Sequence, residues 1–346
     1  MGGSGQGGGR QGGLNGCMTL LKNSIKTNSY ITLSLWCVCV GVVLTSAQAQ
    51  PYPTRPVRTI VPLAAGGSMD TIARGVSAKL SEGFGQTFVV DNRPGAGALI
   101  ALDILSAAAP DGHTLMLIGG TTVVYPILYS SRYDMRRDVA PVSQVTAQGY
   151  VMVIHPSLPV KSVRDFVQYL KANPDKVNYS SSGIGSPLHM SGELFKLATG
   201  TRMTHIPYKG MAPAYTDLVG GQVQTSFPAI ISSIAHINAG RLRALAVTTP
   251  KRVPVVQHLP TFSEAGIEGM VVLNWYALVA PLKIPATLAE RIATEVRKAM
   301  QSPAMMKSLA GEGAEPVGGT PAELAAHIRA EHERWSRVVK AAGITA

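Results

Sequence analysis

Residues 62–70 read Pro62-Leu63-Ala64-Ala65-Gly66-Gly67-Ser68-Met69-Asp70, a glycine turn set between two different periodicities. Ahead of it, residues 57–62 form a short β-branched run that reads as a strand. Behind it, Ile72, Val76 and Leu80 recur at helical spacing over residues 70–83. A strand that turns through glycine into a helix is the repeating unit of a parallel α/β sheet. Paired glycines let the backbone approach a ligand closely, and the free N–H groups of a helix start face outward with the dipole behind them. Such a turn suits an anion, and Asp70 is placed to cap the helix or orient a water. It would serve equally as a tight turn with no ligand. The spacing is not Gly-x-Gly-x-x-Gly and there is no Walker lysine, so a nucleotide is not supported.

The same rhythm extends in both regions downstream. Strand 88–91, the turn Arg93-Pro94-Gly95, helix 98–109, the stop Pro110-Asp111-Gly112 and strand 114–118 complete a β-α-β-α-β run. A second run starts near Tyr150, with strands at 151–155, 177–180, 204–207, 223–227 and 242–247. Between them lie helices at 163–172, 188–199, 211–219 and 230–239, the first begun by Ser162 and the last stopped by Gly240. One more strand, 274–280, precedes helices 286–301, 304–310 and 321–342, which are assigned to the first region. The expected architecture is α/β with two domains. Residues 50–150 and 273–346 make the first, and residues 151–272 the second. Two parallel sheets then face each other with their strand C-termini lining a cleft, where α/β proteins bind ligands. Two chain crossings make a hinge.

The first 49 residues read differently. Residues 1–15 are nearly all Gly, Ser, Gln and Arg, a composition that buries nothing. Lys22 and Lys26 form a basic segment, residues 30–44 an apolar run too short to span a bilayer, and Ala47-Gln48-Ala49 a small-residue cleavage pattern. A signal peptide cleaved before Gln50 is expected, with Met1 or Met18 as the start, and hence a periplasmic product. All three cysteines, Cys17, Cys37 and Cys39, lie in that leader, so the product holds itself together by packing alone. Residues 1–49 carry three basic and no acidic residues, leaving 28 basic against 20 acidic and a net charge of +8. The charges are scattered and aromatics are few. That pattern points away from nucleic acid and gives a mild pull on anionic ligands.

Two more loops share the logic of the first: Gly119-Gly120-Thr121-Thr122, and Ser181-Ser182-Gly183-Ile184-Gly185-Ser186. Catalytic readings are thinner. Of eight histidines only His327 and His332 are near a metal-pair spacing, and five apart they share no helix face. Ser186 and His189 could form a nucleophile–base pair, although no Gly-x-Ser-x-Gly elbow is present. A secreted hydrolase therefore stands as an alternative. No cofactor, metal or nucleic acid is expected.

At these motifs the chain resembles a known family. Residues 62–74, Asp91-Asn92-Arg93-Pro94-Gly95-Ala96-Gly97, Ala109-Pro110-Asp111-Gly112 and Pro207-Tyr208-Lys209-Gly210 look like signatures of the tripartite tricarboxylate transporter solute receptors, or Bug receptors. So do Gly220-Gly221-Gln222-Val223, residues 242–248 and residues 314–320, in the same order. The resemblance implies a periplasmic binding protein of type II, a Venus-flytrap clamp that is usually monomeric. It implies delivery of a small carboxylate to an inner-membrane permease of the tripartite tricarboxylate type, or else ligand sensing for a membrane partner. It implies that Gly66, Gly67, Ser68 and Asp70 hold a carboxylate through backbone groups and waters. Gly119, Thr121, Thr122, Ser182, Gly183, Ile184, Gly185, Ser186, His189 and Tyr208 would then lie where the cleft closes. Four positions depart from the family pattern: Leu63, Ile184, Leu188 before His189, and Pro228 after Phe227. Each removes a polar or aromatic group. The loss of an acid after Phe227 leaves a buried α-amino group without a counter-charge. The expected ligand is a carboxylate with an apolar or aromatic body, not an amino acid.

Overall fold

Among the described residues, the first sheet has six strands in the order β11-β4-β10-β3-β1-β2. They are β1 (Val57–Val61), β2 (Phe88–Asn92), β3 (Thr114–Gly119), β4 (Val139–Gly149), β10 (Leu273–Pro281) and β11 (Ala314–Pro316). The second has five, ordered β7-β6-β8-β5-β9: β5 (Val151–Ile154), β6 (Asn178–Ser181), β7 (Thr204–Pro207), β8 (Thr225–Ser226) and β9 (Arg243–Val247). This is a computed structural model, and it describes residues 1–3, 52–129, 131–311 and 313–345. The expected leader and cleavage point, with Cys17, Cys37 and Cys39, lie outside the described residues, apart from residues 1–3. One compact unit runs from Tyr52 to Ala346.

Neither sheet is wholly parallel, contrary to the expectation from sequence. β1, β2 and β3 run parallel, but β10 is antiparallel to both β3 and β4. β6, β7 and β8 run parallel, while β5 is antiparallel to β8 and β9. The cause is the path of the chain. β4 leaves the first sheet and continues as β5 in the second after Tyr150 alone, and β10 returns in the opposite sense. The joint is tied by hydrogen bonds. Tyr150 N–H donates to Thr248 Oγ1 at 3.0 Å, and Thr248 N–H to the Tyr150 carbonyl at 2.9 Å. Val272 N–H reaches the Thr248 carbonyl at 3.0 Å, and the Thr248 hydroxyl donates to the Val272 carbonyl at 2.6 Å.

Parallel strands present the same ends on one edge, so the helices that follow them start together. After β1 comes α1 (Ser68–Phe84). A 3-10 turn and α2 (Leu99–Ala107) follow β2, and α3 (Gly120–Leu128) follows β3. In the second sheet α4 (Val163–Ala172) follows β5, α5 (Pro187–Thr199) follows β6, α6 (Met211–Val219) follows β7 and α7 (Ile230–Asn238) follows β8. The chain closes with α8 (Ala286–Met300), α9 (Pro303–Gly311) and α10 (Pro321–Ala342). α8 and α9 pack on α1, as expected for the first region. α10 packs on α3 and β4 but also on α5 behind the second sheet. Its Trp335 and Val338 share a core with Val124, Leu188 and Met190, drawn from both halves. Buried Glu331 of α10 accepts the indole N–H of Trp275 at 3.1 Å and of Trp335 at 3.0 Å, with Arg334 alongside.

Candidate functional site

A cleft of about 250 Å³ lies between the two sheets. Leu63, Met69, Gly119, Gly120, Thr121, Asn274 and Tyr276 line it from the first sheet and its loops. Ser182, Pro187, Leu188, Met211, Ala229 and Ser232 line it from the second, and Tyr150 from the joint. Among the described residues, no lining side chain is charged. Yet five helices begin here: α1, α3, α5, α6 and α7 each place a residue of their first turn, or the residue just ahead of it, on the wall. The first N–H groups of a helix have no intrahelical partner, and each helix start carries the equivalent of roughly half a positive charge. The residues ahead of α1, α3, α6 and α7 are Gly67, Gly119, Gly210 and Ala229, and none caps its helix with a side chain. Ser186 caps α5 with its hydroxyl, as Ser162 caps α4 and Thr320 caps α10, the last two starting at the opposite sheet edges. The helix starts thus lend the cleft positive potential through backbone groups, and its walls are uncharged, part apolar and part hydroxyl or amide.

The glycine turn is shaped by Asp70. Its buried carboxylate accepts the Gly66 N–H at 3.0 Å, Arg74 Nε at 3.0 Å and Asn92 Nδ2 at 3.0 Å. Arg74 above all, then Gly66 and Asn92, hold that carboxyl below the usual range, against the opposing effect of burial. Asp70 is thus committed to the turn, and Gly66 spends its N–H on it. Gly67 and Ser68 remain at the exposed helix start between the lining residues Leu63 and Met69. Space is open around both Gly66 and Gly67, and Gly66 sits at φ +88°.

Other positions singled out in the sequence divide into two groups. Gly119, Thr121 and Ser182 reach the wall with Leu63. Thr122 is buried and takes the Gly119 N–H on its hydroxyl at 3.3 Å. Gly183 packs near the Tyr208 carbonyl, and Ile184 is exposed. Gly185 lies against Leu128 and Tyr125 of α3, where the two halves touch. Tyr208 donates its hydroxyl to Asp217 at 2.6 Å, and its pKa is raised to about 12 by burial and that carboxylate. Phe227 is wholly buried in the second core with Phe195 and Phe262, and Pro228 is buried beside it.

Ser186 and His189 are buried and do not form a nucleophile–base pair. The Ser186 hydroxyl caps α5 by accepting the His189 backbone N–H at 3.3 Å, and the His189 ring accepts the Gly185 N–H at 3.1 Å. Sequence reasoning did not select Met69, Tyr150, Leu188, Met211, Ser232, Asn274 or Tyr276 as site residues. Met69, Leu188 and Met211 had a usable signal, since each stands in the first turn of a helix that follows a parallel strand. Asn274 donates to Gln148 and to the Tyr276 hydroxyl, both at 3.2 Å, and nothing local in the sequence marks that group.

The sequence profile of the tripartite tricarboxylate transporter family receptors matches residues 72–344. The chain belongs to that family. It is 34% identical to protein BugT of Bordetella pertussis (strain Tohama I) over 313 residues, 88% of this chain and 96% of BugT. Among solved structures it is similar to R. palustris Rpa4515 with adipate, at 38% identity and a TM-score of 0.71, covering 85% of this chain and 99% of that one. It is also similar to MatC of Rhodopseudomonas palustris with bound malate, at 30% identity and a TM-score of 0.68, covering 83% and 100%. The two-sheet clamp is thus that of the family's periplasmic binding proteins, and its structural neighbours are binding receptors. Among the described residues of this receptor, no helix is long and apolar enough to cross a membrane.

Proposed function

We propose that this chain is a periplasmic receptor that captures a small carboxylate with an apolar body and delivers it to a tripartite tricarboxylate-type permease. The observation that carries the reading is the meeting of five helix starts around a cleft whose lining has no charged side chain. Backbone N–H groups at helix starts bind carboxylates without a cationic side chain. Two helix starts belong to the first half and three to the second, so a diacid would engage both and draw the halves together. Leu63, Met69, Leu188 and Met211 would face the methylene chain. The adipate and malate named for similar structures are both diacids, and the methylene chain of adipate suits the apolar part of the wall better. An amino acid would leave its ammonium group without an acid partner on these walls.

In this reading the Gly67 and Ser68 amides hold one carboxylate, with the Thr121 and Ser182 hydroxyls closing over the ligand. The lobes are residues 50–150 with 273–346, and 151–272; the protein is exported after cleavage before Gln50 and acts as a monomer. The test is a calorimetric titration with adipate, malate, aspartate and glutamate. Adipate should bind at least about tenfold more tightly than either amino acid. A preference for aspartate or glutamate would overturn the ligand class, and binding of none of the four would overturn the diacid reading.

A further inference from the structure

Behind the loop 181–186 lies a closed group of titratable side chains that do not face the cleft. The Gly185 N–H donates to His189 Nδ1 at 3.1 Å, so that nitrogen is bare and the ring proton sits on Nε2, 3.9 Å from Glu193 Oε1. The His189 ring stacks on that of His205, with centroids 3.9 Å apart and planes 14° from parallel. His205 Nε2 lies 2.6 Å from Ser181 Oγ, which in turn accepts the Gly183 N–H at 3.1 Å. One loop amide, of Gly185, is therefore fastened to His189 directly, and a second, of Gly183, to the Ser181 hydroxyl that His205 contacts. Gly185 also marks the seam between the halves: a Cβ there would stand 2.5 Å from Leu128 Cδ1.

We propose that His189 and His205 are positioning residues that hold the loop 181–186 in its ligand-gripping form only while both rings are neutral. A proton on His189 Nδ1 converts the acceptor of the Gly185 N–H into a second donor facing it. A proton on either ring places a cation against the other imidazole. The surroundings do not rescue the charge. Glu193 of α5 is already engaged by Lys196 Nζ at 2.9 Å and by the Tyr179 hydroxyl of β6 at 2.5 Å. Tyr125 of α3, across the seam, brings only a phenol ring to Gly185. Burial is the main reason that both rings sit below the ordinary histidine range. Lys196 adds to it for His189, with Glu193 opposing, and His189 and then Lys196 add to it for His205, which falls to about 3.

The role rests on the cleft being the ligand site, and the experiment separates the two ideas by reading the loop without ligand first. Amide hydrogen exchange of the peptide covering 181–189 is compared at pH 7.5 and pH 5.5, corrected for intrinsic rates. An opened loop with histidines of ordinary pKa near 6.5 gains about tenfold in population over that interval for each ring released. Protection in the wild type should fall about tenfold or more. His189→Asn combined with His205→Gln keeps polar atoms in place of the bonded nitrogens but takes up no proton, so its protection should change less than about twofold between the two pH values. His189→Leu should lose about tenfold at pH 7.5. A wild-type loop indifferent to pH overturns the proposal, as does a double variant that repeats the wild-type fall. Adipate titration at the same two pH values is the second arm; the wild-type Kd rises only as the closed fraction falls, so it should change less than about twofold while the open loop stays a minor population. Absence of adipate binding at pH 7.5 counts against the ligand class, while the exchange data still decide the role of the imidazoles.

Discussion

Replacing Thr248 with Val should loosen the joint through which the chain passes between its two sheets. Thr248 is wholly buried, as are Tyr150 and Val272 around it. Its hydroxyl accepts the Tyr150 N–H at 3.0 Å and donates to the Val272 carbonyl at 2.6 Å. Valine has nearly the same shape, so no cavity opens and the change is confined to polar partners. It leaves one buried donor and one buried acceptor unmatched, at about 1–3 kcal/mol each. The backbone bonds Thr248 N–H to Tyr150 and Val272 N–H to Thr248 persist, at 2.9 and 3.0 Å, and limit the rearrangement. A total loss of about 2–6 kcal/mol is expected. Urea unfolding of the two proteins gives the difference from the midpoint shift at constant slope. A loss below about 0.5 kcal/mol would refute the reasoning that this hydroxyl holds the joint.

Gly67→Val should leave the fold intact, since its φ of −86° suits any residue and no atom stands near an added Cβ. Adipate affinity should nonetheless drop about tenfold or more as the side chain covers the α1 start, and an unchanged calorimetric Kd would remove those amides from the site. Gly66→Val, at φ +88°, should instead cost about 1–2 kcal/mol of stability in a denaturant titration. Gly185→Ala combines a positive φ with a Cβ 2.5 Å from Leu128, so it should obstruct the contact between the halves and weaken adipate about tenfold. Wild-type affinity in that variant would show that the seam is not part of the bound form. Asp70 has a folded pKa below its unfolded value of about 3.9. Its stabilisation is therefore present above that pH and is lost as pH falls through the folded value. The stability gap between wild type and Asp70→Asn should be full at pH 7 and shrink below about pH 4; a gap that stays constant to pH 3 would contradict this.

Much of the scaffold was legible because periodicity and punctuation agree locally. Helices at 163–172, 211–219 and 321–342 were read at the bounds the structure gives them, the first from the start signal of Ser162. α3 was missed because Val123, Val124 and Pro126 argue against a helix; packing on Trp335 and Leu188 from elsewhere in the chain overrides that propensity. The strand β4 was missed as well, since its Ser143, Gln144, Thr146 and Gln148 break the apolar pattern. Strand direction was misread because sense within a sheet follows the path of the chain, which no local pattern records.

The chain alone determined that glycine turns join strands to helices, because backbone freedom and helix starts are written in residue type. It also fixed family membership, through several short motifs in order. The tertiary structure decided which groups meet. Leu188 and Leu63 share a wall only because two sheets face each other, and Asn274 joins them from a strand that returns late. His189, polar and next to a loop, was assigned to the ligand, but its ring turns inward onto His205, since the Gly185 amide and the stacked ring satisfy it better there. A side chain's direction depends on partners distant in sequence, and only the folded chain brings them within reach.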